Sequence, residues 1–234
     1  MRDYDGEPIE QRLAEPLREY WLDRARMHLF DTYMGIPLTK FPEDLRVYEH
    51  LVWRARPNVV VEIGAWFGGS ALWFRDRLLT LARYAAIESP LVVSIDVDVD
   101  VARRHLESVD PDYAATIALV EGDVRDPALA ARVRERIPAG SRCLVVEDSA
   151  HTGETTAAAL ASFARLVPPG GWFVVEDGCV DVEAMRADAG WPRGVLPAIA
   201  AWLATAEGSR FRVRRDLELY GLSCHPGGFL QRVS

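Results

Sequence analysis

The residues best able to do chemistry in this chain stand at the ends of short apolar runs. Glu62 lies in the first run and is followed by Gly64, Gly68, Gly69 and Ser70. Asp96 and Asp98 close the second run, and Asp123 follows the third. Asp148 and His151 follow the fourth, and Glu176 and Asp177 follow the fifth. Carboxylates so placed accept hydrogen bonds from hydroxyls and amines or hold a hard cation, and a histidine accepts a proton near neutral pH.

The first segment, Glu62-Ile63-Gly64-Ala65-Trp66-Phe67-Gly68-Gly69-Ser70, carries its glycines in a G-x-x-x-G-G spacing. Gly64 permits a tight turn, and Gly68 and Gly69 let the backbone approach a ligand closely. This is not the G-x-G-x-x-G of dinucleotide sites, which disfavours an NAD-dependent reductase. Glu62, two residues before the first glycine, suits the amino group of S-adenosylmethionine (SAM). Alone, the segment also reads as a plain strand–turn–helix corner. Asp96, about 30 residues beyond Gly64, is the choice for the ribose hydroxyls. Asp98 is the alternative, unless it caps the next helix. Asp123 is suited to the adenine amine or, equally, to a turn. Ser70 and Asp148 complete the cofactor set. Acidic strand ends in this order favour SAM.

The fourth run ends in Glu147-Asp148-Ser149-Ala150-His151 and the fifth in Glu176-Asp177-Gly178. If the two runs are neighbouring strands, Asp148, Glu176 and Asp177 meet at one edge. Three packed carboxylates repel unless something neutralises them. A divalent cation with oxygen ligands, Mg²⁺ above all, would do so. The competing reading is that one carboxylate touches SAM and the others cap helices. His151, three residues after Asp148, is the candidate base; catechol-type methyltransferases place a lysine at the matching position. A helix N-terminal residue without a chemical task is the alternative for His151. His225 is a weaker candidate that reads as a turn residue. Lys40 is the only lysine in the chain, and so the only possible lysine base.

Positioning these residues requires alternating strands and helices. The strands are predicted at Asn58–Ile63, Leu91–Ile95, Thr116–Val120, Cys143–Val146, Trp172–Val175, Phe211–Arg214 and Gly228–Val233. Helices are predicted at Ser70–Leu81, Asp100–Ser108, Ala128–Ile137, Glu154–Leu166 and Leu196–Ala206. Such βα repeats imply an α/β fold, a doubly wound and mostly parallel seven-stranded sheet of the Rossmann-like kind. The last strand pair is expected as an antiparallel edge. Ligands in these sheets bind beyond the carboxyl ends of the strands. Residues 1–55 read as a helical N-terminal extension, with helices over Pro8–Phe30 (Leu13, Leu17, Tyr20, Trp21) and Glu43–Arg54. This extension and the Tyr33–Lys40 segment would form an acceptor lid on a domain at 56–234. Trp66, Phe67 and Trp191 would line it or serve as core.

The 234 residues suit one large domain, and their net charge of -8 argues against nucleic acid as a partner. No segment has the roughly 20 apolar residues of a membrane span, and no signal peptide is legible. Cys143, Cys179 and Cys224 show no metal or disulfide spacing. Reduced thiols and a cytoplasmic location fit best.

The ordered set of motifs resembles the cephalosporin hydroxylase / rhamnosyl O-methyltransferase family. It runs from Gly35-Ile36-Pro37-Leu38-Thr39-Lys40-Phe41-Pro42-Glu43-Asp44 through Arg56-Pro57-Asn58, Glu62-Ile63-Gly64 and Gly68-Gly69-Ser70-Ala71. It continues with Asp148-Ser149-Ala150-His151-Thr152, Gly170-Gly171, Val175-Glu176-Asp177 and Pro226-Gly227-Gly228-Phe229-Leu230. The resemblance implies a SAM-dependent O-methyltransferase with a divalent metal at Asp148, Glu176 and Asp177. It implies a small-molecule acceptor, a hydroxyl of a sugar or antibiotic scaffold in secondary metabolism, and a homo-oligomer. Rival readings are a metal-independent methyltransferase acting on nitrogen or carbon, and an inactive SAM-binding partner subunit of a biosynthetic complex.

Overall fold

The computed structural model describes residues 16–85 and 87–234. It opens with helix α1 (Leu17–Met27) and a single 3-10 turn at His28–Phe30. The rest of the helix predicted from Pro8, with Leu13, lies outside the described residues. Next comes a short hairpin, β1 (Thr32–Tyr33) and β2 (Ile36–Pro37), absent from the sequence reading. Its two turn residues, Met34 and Gly35, both have positive φ (52° and 84°), as the tight hairpin turn that matches strand twist requires. Helix α2 (Pro42–Ala55) begins with a proline in its first turn, where no N–H is missed, and stops at Arg56 in the left-handed region. Val47, Tyr48, Leu51 and Val52 make its buried face at helical spacing.

From β3 (Val59–Ile63) the βα alternation follows the expected pattern. It runs through α3 (Gly69–Ala85), β4 (Leu91–Asp96), α4 (Asp100–Val109), β5 (Ile117–Glu121), α5 (Leu129–Arg134) and β6 (Cys143–Glu147). It ends with α6 (Gly153–Phe163), β7 (Trp172–Val175), α7 (Val195–Leu203), β8 (Phe211–Val213) and β9 (Phe229–Arg232). The seven strands are ordered β5-β4-β3-β6-β7-β9-β8. The β3–β4, β3–β6, β4–β5 and β6–β7 pairs are parallel. The expected antiparallel edge is a single strand: β9 opposes both β7 and β8, so β8 again runs with the rest. The strand order reverses between β4 and β6 at β3, so the crevice for a ligand opens above β3.

All five residues of β3 are buried, as a strand covered on both faces demands. Alternate residues feed two apolar layers. Val59, Val61 and Ile63 join Trp21, Phe41, Phe163 and Ile199 on one side. Val60 joins Tyr48, Leu51, Phe74 and Trp172 on the other. The hairpin and α2 therefore share a core with the central strands, through Ile36, Leu38 and Tyr48. Among the described residues no helix is long and apolar enough to cross a membrane.

Candidate active site

The carboxyl ends of β3, β4, β5, β6 and β7 open into one cavity of about 590 Å³, within the usual range for small-molecule sites. The central corner is tight. The N–H groups of Gly64 and Ala65 both donate to Ile95 O, at 2.8 and 3.0 Å, and Asp148 N–H donates to Ile63 O at 2.8 Å. Gly64 has φ +109°, and a Cβ there would stand 2.0 Å from Asp148 O. Only glycine fits between these two strand ends. Gly68 and Gly69 have other reasons to be glycine. A Cβ on Gly68 would press on Leu106 and Ala102 of α4, and one on Gly69 would stand 2.2 Å from Pro37 O. Gly69 and Ser70 line the cavity; Gly68 lies behind its wall.

Asp96 lines the cavity at the end of β4, and its carboxylate is held by two backbone donors. Trp66 N–H reaches Oδ2 at 2.8 Å and Val97 N–H reaches Oδ1 at 2.7 Å. Asp98 points to the next helix instead: its Oδ1 accepts Asp100 N–H at 2.8 Å. Of the two, Asp96 lines the cavity and Asp98 does not. Asp123 lines the cavity too, but Arg125 donates to both of its oxygens and holds its pKa down at about 2. Glu62 lies beneath the wall, fully buried. Ser94 Oγ donates to its Oε2 at 2.5 Å, and its Oε1 has no hydrogen-bond partner. Burial pushes its pKa up to about 7 against the pull of Lys40.

At the other end of the cavity stand Asp148, His151 and Asp177. His151 Nε2 is 3.3 Å from Asp177 Oδ2, and Nδ1 is 4.0 Å from Asp148 Oδ1 and has no hydrogen-bond partner. Burial lowers the His151 pKa, but Asp177 and Asp148 outweigh it and the net shift is upward. His151 directly precedes the cap of α6, which is Thr152 in a reciprocal pair with Thr155. Trp66, His151 and Asp177 all sit on the cavity wall with left-handed backbones, φ 39°, 53° and 55°. Strained backbone of this kind concentrates at functional sites.

Glu176 is near this group but already partnered. Lys40 Nζ lies 2.7 Å from both of its oxygens and 2.7 Å from Asp148 Oδ2, and Tyr48 OH donates to Glu176 Oε1 at 2.5 Å. Lys40 is not a free base. Burial alone would lower its pKa, yet Asp148 and Glu176 together raise it, so it stays charged. His225 is buried behind the site; its Nδ1 accepts Asp177 N–H at 3.1 Å, and it does not line the cavity. Donor atoms converge without Lys40 between them in two sets among the described residues, Asp148, His151 and Asp177 on the cavity and Asp177 with the buried Cys179 and Cys224, the atoms of each set within 4.8 Å of one another. Two carboxylates and an unpartnered imidazole nitrogen are a chemically sound set for a divalent cation.

Trp66, Phe67 and Trp191 line the cavity, together with Trp21, His28 and Leu29 from α1 and its 3-10 turn. Sequence reasoning missed His28, Tyr48 and Asp44. Asp44 holds the C-terminal loop, accepting Ser223 Oγ at 2.7 Å and Cys224 N–H at 2.9 Å. Its place in the first turn of a helix otherwise marked by apolar spacing hid that role.

Comparison with known proteins agrees with this architecture. The chain is 29% identical over 150 residues to a rhamnosyl O-methyltransferase of Mycobacterium leprae (strain TN), 62% of this chain and 59% of that protein. It thus spans less than two thirds of that relative. It is 26% identical over 207 residues to a rhamnosyl O-methyltransferase of Mycobacterium bovis (strain BCG / Pasteur 1173P2), covering 86% of this chain and 78% of the relative. A CmcI structure described as Mg–SAM superposes with TM-score 0.63 at 19% identity, covering 100% of this chain and 88% of the other. The MycE methyltransferase from the mycinamycin biosynthetic pathway, in complex with Mg, SAH and mycinamycin VI, superposes with TM-score 0.54 at 18% identity, over 94% of this chain and 55% of that one. These superpositions show a shared methyltransferase fold. Residues 26–233 match the family described as rhamnosyl O-methyltransferase/CmcI, and the chain belongs to that family.

Proposed function

We propose that the protein is a SAM-dependent O-methyltransferase that uses a divalent cation to methylate a hydroxyl of a sugar or natural-product scaffold. One observation carries this reading. A single cavity runs from Asp96 at the end of β4 to Asp148, His151 and Asp177 at the ends of β6 and β7. The names of the mycobacterial relatives support a sugar acceptor, and the Mg in CmcI and MycE supports a cation.

Bound SAM supplies an electrophilic methyl group on a sulfonium cation. The acidic wall fits a cationic ligand, and Glu62 is buried just beneath it. Asp96 would accept the ribose hydroxyls, and Asp123 would meet the adenine amine. Gly64 and Ser70 would carry the methionine end, with Glu62 and Asp148 toward its amino group. Asp148 and Asp177 would hold Mg²⁺, joined by Glu176 if its ion pair with Lys40 gives way, and the ion would supply positive charge that makes a nearby acceptor hydroxyl more acidic. His151 would take the hydroxyl proton at Nε2, and Asp177 beside it would stabilise the resulting imidazolium. Oxygen and methyl then need only be aligned. Charge disappears in such a transfer, so a dry site favours it. Trp21, His28 and Leu29 would close the acceptor side as a lid formed by the N-terminal extension, and Trp66 and Trp191 would exclude water. The enzyme is expected to work in the cytoplasm as a homo-oligomer.

The test is methyl transfer from SAM to a panel of rhamnosides, antibiotic glycosides and catechols, read by mass spectrometry. Turnover by the purified chain, abolished by EDTA and restored by Mg²⁺, supports the proposal. Turnover that ignores EDTA favours the metal-independent rival. SAM binding without turnover on any acceptor favours the partner-subunit rival.

A further inference from the structure

The chain replaces lysine by arginine everywhere except at Lys40, and this one lysine is buried. Its ammonium has three N–H donors and meets three carboxylate oxygens at 2.7 Å, one of Asp148 and two of Glu176. The two acids end β6 and β7, neighbouring parallel strands. Without a cation between them, two carboxylates at such an edge repel and would have to separate or take up a proton.

The segment bearing Lys40 is fixed from several directions. Leu38 N–H donates to Asp31 O at 2.9 Å. The start of α3 at Gly69 leaves no space beyond Pro37 O, where a Cβ would come within 2.2 Å. Asp44, four residues on, ties α2 to Ser223 and Cys224. Tyr48, one turn further along α2, adds its hydroxyl to Glu176. His225 Nε2 stands 3.6 Å from Glu176 Oε2 and from Asp44 Oδ2. The cation is thus delivered by a rigid part of the fold and not by a mobile side chain on a loop tip.

We propose that Lys40 is a positioning residue, a resident counter-cation that keeps the Asp148 and Glu176 carboxylates assembled at the ends of β6 and β7 and offsets part of the charge a divalent ion would neutralise. The first half stands on the ion-pair geometry; the second rests on the metal-dependent reading above. Replacing Lys40 by methionine keeps length and apolar bulk but removes the charge. In EDTA, K40M should melt about 10 °C below wild type, because one side of a buried ion pair is left without its partner. Adding E176Q removes one of the two stranded charges, so the double variant K40M/E176Q should regain at least half of that loss. Mg²⁺ alone, titrated by calorimetry, should bind K40M at least about tenfold more tightly than wild type, since a nearby positive charge is gone. It should also raise the melting temperature of K40M more than that of wild type.

A role in packing alone would leave Mg²⁺ affinity unmoved and would give no rescue by E176Q; that pair of results overturns the proposal. If K40M does not fold, the double variant decides: folding of K40M/E176Q supports the counter-cation, and its failure refutes it. If Mg²⁺ binds neither wild type nor K40M while the E176Q rescue holds, the metal reading fails and Lys40 remains the counter-cation of the carboxylate pair.

Discussion

Replacing Glu62 by glutamine should make the protein more stable and the enzyme worse. Glu62 is fully buried in the central strand, with one oxygen facing Ser94 and the other unpartnered. Burial raises its pKa from an ordinary 4.5 to about 7. The folded chain therefore binds this proton more tightly than the unfolded chain does. Stability falls as pH rises from 4.5 to about 7 and is level above that, where the carboxylate is charged in both states. The gap corresponds to about 3 kcal/mol at pH 8. Glutamine has the same shape and no charge, and its amide can still face Ser94. E62Q should thus gain about 3 kcal/mol at pH 8, roughly 6–12 °C in melting temperature, and almost nothing at pH 4.5. Urea denaturation of both proteins at pH 5 and pH 8 measures this directly. An equal stability difference at the two pH values would refute the reasoning, because the effect would then not be ionisation. If Glu62 serves the amino group of SAM, E62Q also loses SAM affinity, a stability–function conflict of the kind expected at active sites.

Asp96→Ala removes a carboxylate already held by Trp66 and Val97 N–H groups. It should weaken SAM by about 10–100-fold in calorimetry, the worth of one or two charge-assisted hydrogen bonds. Gly64→Ala forces a Cβ to 2.0 Å from Asp148 O at φ +109°. Denaturation should show a loss of more than about 3 kcal/mol, or no soluble protein. His151→Ala should lower turnover by about 10²–10⁴-fold with SAM affinity kept. In metal-free wild type the charges of Asp177 and Asp148 keep the ring protonated to higher pH, so an NMR titration of His151 in EDTA should have its midpoint above 6.5. A midpoint below that value in the metal-free protein contradicts the electrostatics described for Asp177 and Asp148.

The parallel sheet was legible because its central strands are short apolar runs, most of them ending in or followed by an acidic residue. Five of the six residues of the run Asn58–Ile63 form the fully buried β3, and the acidic ends Asp96, Asp123, Asp148 and Asp177 all reach the cavity, although the sheet order β5-β4-β3-β6-β7 rearranges their order along the chain. Local pattern could not separate Asp96 from Asp98, since both follow one strand. Their roles are set by which backbone N–H groups face them. The charge argument for Asp148, Glu176 and Asp177 asked for a divalent cation and overlooked that for Asp148 and Glu176 the chain itself supplies a positive charge. Lys40 comes from a position 108 residues before Asp148, carried there by the packing of the hairpin and α2, which no spacing rule encodes. A signal was present: a lone lysine between Pro37 and Pro42 in an otherwise arginine-only chain. The hairpin β1–β2 was invisible because it has only two residues per strand and turns on Met34 in a left-handed backbone that side chains rarely adopt.

The central claim is that the cavity above β3 holds SAM beside a divalent-cation site. Calorimetric titration of SAM and of Mg²⁺ into wild type and Asp148→Ala tests it most directly. The account predicts that wild type binds one SAM per chain and Mg²⁺, and that the variant keeps SAM, though less tightly, while losing Mg²⁺. Absence of SAM binding by wild type would contradict the claim outright.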